Sequence, residues 1–288
     1  MKAKLISLLA VSSALLFCKS GNLLAQNDET YKAIYQTRGS YVLDTTANSA
    51  PVFETVLEIS ADKSFFLDRW FELGDSAYQN TYSRSKNVID AINARVDAAG
   101  KGELLMGVKT DFSTNSRETF HAINAIFAFD LYSYKEKLTR PSWEIVQDST
   151  AVKNSYNCIM AKTNYLGREW IVWYTRDIPT PTGPWKLWGL PGLIVEAKDS
   201  ENLFSFRLTS FSAVSRDELY GDFSKYKDVW AQRRVVKRKQ VLESLSFYVS
   251  DQLGYLRSIY PGAKVTAHNA DGEVSGESFR CDFVYLEK

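Results

Sequence analysis

Two histidines and a scatter of carboxylates are what this 288-residue chain offers for proton transfer. His121 sits among Phe120, Ile123 and Phe127, a setting that predicts a buried, hydrogen-bonded structural imidazole, while His268 falls in a turn-rich, solvated stretch. Glu54 and Glu58 would share one face of a strand and have the residue types of a glycosidase acid–base pair, but charges at such positions are ordinarily the wet face of a sheet. The SxxK matches Ser60–Lys63 and Ser83–Lys86 lack companion motifs, and no HExxH, paired CxxC, P-loop or GxSxG pattern occurs. Asp177, beside Ile178 and Pro179, reads as a turn former. This inventory predicts no catalytic residue, no metal site and no cofactor, so the chain is expected not to be an enzyme.

Recognition by aromatic rings is the other chemistry on offer. Trp170, Trp173, Trp185 and Trp188 fall between residues 170 and 191, together with Pro179, Pro181, Pro184 and Pro191. Proline restricts the backbone and indole supplies contact area at low entropic cost, so the stretch reads as a stiff aromatic connection between strands. Trp170 is expected in the core, whereas Trp173, Trp185 and Trp188 are candidates for the rim of a groove that binds a ligand or a partner. A basic run, Arg233, Arg234, Lys237, Arg238 and Lys239, is compatible with an anionic lipid surface but is expected to be a solvated helix face.

The elements that must position these groups are mostly strands. Alternating apolar residues predict strands over 31–42, 52–60, 63–71, 103–110, 118–129, 143–147, 156–163, 170–174, 193–197, 204–208 and 279–286, with a turn over 164–167. Tyr78, Tyr82, Ile89, Ile92 and Val96 recur at helical spacing, predicting one helix over 76–99, and a second helix is expected over 223–249. The expected class is α+β, mainly antiparallel β, with two helical segments beside a curved open sheet, by analogy a lipoprotein-carrier-like half-barrel.

The run Gly183-Pro184-Trp185-Lys186 followed by Gly189-Leu190-Pro191-Gly192-Leu193-Ile194 closely resembles the GLPGLI family, as do Trp173-Tyr174-Thr175, Asp177-Ile178-Pro179, Cys158, Ala161-Lys162 and Gly167-Arg168. The resemblance implies a secreted envelope protein of Gram-negative bacteria with no settled biochemical role. Independently, Lys2, Lys4 and the apolar run 5–17 read as a signal peptide over residues 1–25, with cleavage before Gln26, no lipid on Cys18, and one secreted domain over 26–288. Export leaves Cys158 and Cys281, a candidate disulfide in an oxidising compartment. Losing Lys2, Lys4 and Lys19 turns the net charge of +1 slightly negative, which gives no global field for nucleic acid. No second apolar run reaches membrane length. The function expected is therefore non-enzymatic binding of a ligand or partner in the periplasm or outer envelope; a hydrolase assembled from scattered residues and a purely structural domain are the alternatives.

Overall fold

The computed structural model describes residues 29–39, 42–43, 51–99, 106–123, 131–221, 233–259, 267–268, 274–275, 282–283 and 286–287. The predicted signal peptide lies outside them. Along the chain come β1 (Thr30–Arg38), β2 (Val42–Leu43), β3 (Val52–Ile59), β4 (Lys63–Asp68), α1 (Arg69–Ser85), α2 (Val88–Ala99), β5 (Met106–Asp111), β6 (Ser116–Ala122) and β7 (Leu131–Lys137). They are followed by β8 (Glu144–Lys153), β9 (Tyr156–Tyr165), β10 (Arg168–Thr175), β11 (Leu193–Asp199), β12 (Ser205–Val214), β13 (Arg234–Val235), α3 (Arg238–Ser250) and α4 (Gln252–Ile259). Three two-residue strands, β14 (Ala267–His268), β15 (Val274–Ser275) and β16 (Asp282–Phe283), complete the set.

Twelve strands make one open sheet in the order β13-β7-β6-β5-β4-β3-β1-β12-β11-β10-β9-β8. All its pairings are antiparallel except β13 with β7. Two meanders, β3 to β7 and β8 to β12, thus share β1 as their common neighbour. The strands β7 and β8 are consecutive in the chain but lie far apart in strand order, so the sheet has to curl. Arg117 on β6 accordingly reaches the Tyr165 hydroxyl on β9, at 3.1 Å, across the inner side.

Each face carries its own core. The inner face packs Tyr35, Phe66, Trp170, Tyr174 and Phe206 around Trp185, Leu187 and Leu190 of the segment between β10 and β11. The outer face of the first meander packs Val56, Phe65, Leu67 and Phe120 against Trp70 and Phe71 of α1. Successive residues such as Phe65, Phe66 and Leu67 are therefore all buried, because both sides of these strands are covered.

Several boundaries differ from the sequence expectation. The apolar run 63–71 is a strand only to Asp68, whose carboxylate accepts from the Trp70 amide at 3.0 Å and starts α1. The helix expected over 76–99 is two helices, because Lys86 adopts the left-handed conformation (φ 54°) and Asn87 caps the second through the Ile89 amide, at 2.9 Å. Arg95 of α2 and Asp75 of α1 tie the pair together in a buried ion pair. β7 was not anticipated, since its Lys135-Glu136-Lys137 end disguises the alternation. Of the helix expected over 223–249, residues 222–232 lie outside the described set, 233–237 are not helical, and 238–249 belong to α3. The basic run is therefore no single helix face: Arg233 pairs with Glu118 and Arg238 with Glu287, both at 2.9 Å, and Lys239 alone of these three is strongly exposed. No described helix is long and apolar enough to cross a membrane.

Candidate functional site

The segment from Arg176 to Gly192 leaves β10, crosses the inner face and returns as β11. Its prolines take no part as donors, and its remaining amides stitch it to itself: Gly189 to the Pro181 carbonyl at 2.8 Å, Leu193 to Ile178 at 3.0 Å and Ile194 to Thr182 at 3.1 Å. Two glycines are required sterically. A Cβ on Gly192 would stand 1.8 Å from the Thr175 carbonyl oxygen, and Gly189 has a φ of +94° with the Arg140 side chain against it. Gly183 is pressed against Ile194, Pro184 opens a turn closed by the Leu187 amide, and Leu190, Leu193 and Ile194 are buried anchors. Pro191 alone of the Gly189–Ile194 run is exposed.

The three candidate rim tryptophans do not converge on one groove. Trp185 is a correction: it is 2% exposed, with its ring 5.4 Å from Trp170 and 6.3 Å from Tyr165, so it belongs to the core. The reason is the turn at Pro184, which drives the indole inward. Trp173 is half-buried on the outer face, where strand alternation puts it opposite to Trp170, and the Lys153 ammonium lies 5.3 Å from its ring centre. Trp188 is half-buried at the surface end of the crossing, 5.5 Å from the Phe112 ring. Its indole donates to the Thr139 carbonyl at 3.0 Å, while the Trp143 indole donates to the Trp188 carbonyl at 2.8 Å. Beside it opens a recess of about 200 Å³ walled by Ala61, Phe112, Leu138, Pro179, Pro181 and Trp188.

Lys186 carries the main chemistry inside the crossing, and the sequence reading gave it no role of its own. It is fully buried, with its ammonium 2.6 Å from both Glu136 and Glu287 and 3.1 Å from the Tyr134 hydroxyl. Glu287 also accepts from Arg238, and the Lys186 carbonyl accepts from Arg117 at 3.2 Å. Burial pushes the His121 imidazole down to about 4, against the pull of Glu287, so it is neutral near pH 7. Burial raises the Glu287 carboxyl, but the Lys186 and Arg238 charges outweigh that and hold it below its usual range. A His, a Lys, a Tyr and two Glu would be an acid–base set in a cleft. Here Lys186, Tyr134, His121 and Glu287 are buried, only Glu136 reaches the surface, the charges are mutually compensated, and the group joins β6, β7, the crossing, α3 and the last described residues. A lysine between apolar anchors at 185 and 187 was the available signal.

Glu54 and Glu58 are also separated by their surroundings. Glu58 is buried beneath residues 220–221, accepting from the Tyr220 and Gly221 amides at 2.6 Å each, and Glu54 pairs with Arg69 at the surface. Burial raises the Glu58 carboxyl, with the two amides opposing. Cys158 is a free, buried thiol pushed up to about 11 by burial; Cys281, its candidate partner, lies outside the described residues. Among the described residues no cluster of His, Cys, Asp and Glu could hold a metal ion.

A family model described as a protein of unknown function (Porph_ging) matches residues 167–196. That span runs from the β9–β10 turn through the crossing into β11, the same region that resembles the GLPGLI family. No curated protein matches the chain. Among solved structures the chain is similar to PNGF-II, in P21 and C2 crystals, with TM-scores of 0.48 and 0.47 at 14% sequence identity. The likeness covers 75% of this chain and 32% of the PNGF-II chain.

Proposed function

We propose that the protein is exported to the cell envelope and acts there without catalysis, by capturing a partner protein whose apolar side chain enters the recess beside Trp188. The observation that carries this reading is the recess itself, an open, mostly apolar hollow edged by Ser60, Asn115, Thr180 and Thr182, whose aromatic wall is fixed at both the indole and the carbonyl of one residue. Its 200 Å³ falls below the range of about 300–1,000 Å³ usual for small-molecule sites, which suits one anchoring side chain within a larger interface. The non-catalytic part of the proposal is supported by the titratable groups, since His121, Lys186 and Tyr134 line no part of this recess.

The test fills the hollow and leaves its walls intact. Trp188→Ala is the poorer variant, because it also removes the Thr139 hydrogen bond and would weaken the fold. Ala61→Trp is expected to abolish capture of a discrete partner from envelope extract while leaving the melting temperature nearly unchanged. Capture that survives Ala61→Trp, or no capture by the native chain, would sink the reading. Export is tested by intact mass of the protein from its native host: a chain starting at Gln26 supports it, an acylated chain starting at Cys18 would replace the soluble form by a lipid-anchored envelope protein, and an uncleaved chain would overturn export.

A further inference from the structure

The outer face of the second meander bears a row of cations that α1 does not cover. Helix α1 covers the outer face of the first meander, where Lys32 pairs with Glu72 and Arg69 with Glu54. Beyond β1 no described helix covers the same face. Residues directly opposite in antiparallel pairs point to the same side, so the registers can be followed across five strands. One row reads Glu54, Gln36, Arg207, Glu196, Trp173, and its acids are paired locally, Glu54 with Arg69 and Glu196 with Lys153 at 3.2 Å, while Arg207 donates to the neutral Gln36 side chain.

The next row reads Arg38, Ser205, Lys198, Ile171, Lys162. Cations occupy every second strand, separated by a hydroxyl and an aliphatic side chain, and no acid stands in the row before Glu144 on the edge strand. None of Arg38, Lys198 and Lys162 has an ion pair among the described residues. Arg38 and Lys198 are exposed and line the walls of an open depression of about 540 Å³, which also takes in Lys153, Arg207 and one acid, Glu196, the partner of Lys153.

We propose that this face binds an acidic, extended segment of a partner protein, laid across the strands along the Arg38–Lys198–Lys162 row. Neighbouring strands lie about 4.8 Å apart, so cations on alternate strands recur at about 10 Å. A polyproline II segment advances about 3.1 Å per residue with three residues per turn, so acids at every third position recur at about 9 Å on one side. A β-conformation presents same-side residues at about 7 Å, which fits the row less well. Charge complementarity thus selects the sign of the occupant, and the spacing selects its conformation. The inference is independent of the recess beside Trp188, which shares no lining residue with this face.

The experiment titrates the full chain with a synthetic Glu-Pro-Pro repeat peptide and, in parallel, with a Gln-Pro-Pro repeat and with polygalacturonate. The Glu-Pro-Pro repeat is expected to bind, and about 0.3 M salt to weaken it strongly, since exposed charges are then screened beyond a few ångströms. Lys198→Glu and Arg38→Glu are each expected to lower affinity by about tenfold or more, with Lys198→Gln giving a smaller loss. Ala61→Trp is expected to leave this binding unchanged, which separates its failure from failure of the recess. Equal binding of the Gln-Pro-Pro repeat, affinity unaltered by Lys198→Glu, or binding of polygalacturonate without the peptide would each overturn the proposal, the last assigning the face to an acidic glycan.

Discussion

Lys186 and Lys198 stand on either side of one motif and have opposite fates. Lys186 is sealed in the interior against two carboxylates and a phenol; Lys198 is exposed on the outer face, with no ion pair among the described residues. A buried ammonium loses several kcal/mol of hydration and persists only where carboxylates and hydrogen bonds replace the lost water. An exposed one keeps its water and remains available to another molecule. The same residue type is thus a structural bolt in one place and a recognition group in the other, and the covering of each face decides which.

The sharpest way to break the interior half of this contrast is Gly192→Val. Its Cβ would overlap the Thr175 carbonyl, so the crossing could not lie against β10, and a loss of about 4–5 kcal/mol or more is expected in denaturant unfolding. Lys186→Met comes next. It would leave Glu287 and Glu136 facing each other without their shared cation, at about 3–5 kcal/mol, and a double-mutant cycle with Glu287→Gln should show strong coupling. Additivity of the two changes would show that the bolt carries little.

The interior also predicts a pH signature. Between about pH 6.5 and 4 the unfolded chain binds a proton at His121 that the folded chain refuses. Stability conferred by the neutral imidazole is therefore complete above the unfolded value and is lost as pH falls, by up to about 3 kcal/mol across the window. Glu287 acts with the same sign further down, because its folded carboxyl is held below its ordinary value. Urea midpoints measured from pH 7 to 4 should show the fall, and His121→Gln should flatten it. The smallest effect belongs to the outer face: Lys198→Glu should change stability by less than about 0.5 kcal/mol, and a larger loss would mean that the residue is structural after all.

Much of the sheet was legible because strand alternation is local. The strands around 156–163, 170–174, 193–197 and 204–208 occur where the pattern puts them, and their turn is built on Leu166 and Gly167, both with positive φ. The doubly covered strand ending at Asp68 was harder, since burial on both faces removes the alternation that distinguishes strand from helix. The second helix is present from Arg238, but the basic run was not one helix face, because its residues are divided among β13, α3 and ion pairs with Glu118 and Glu287, contacts that no local pattern encodes.

By itself the sequence determined an antiparallel β architecture and a rigid, glycine-dependent crossing at residues 183–194, because propensity, proline and glycine act through the backbone nearby. Which of its tryptophans are core, which carboxylates are buried and which lysine is a bolt were decided only by the tertiary structure. Burial depends on what lies across the sheet, and for Lys186 that meant Glu136 on β7 and Glu287 at the far end of the chain.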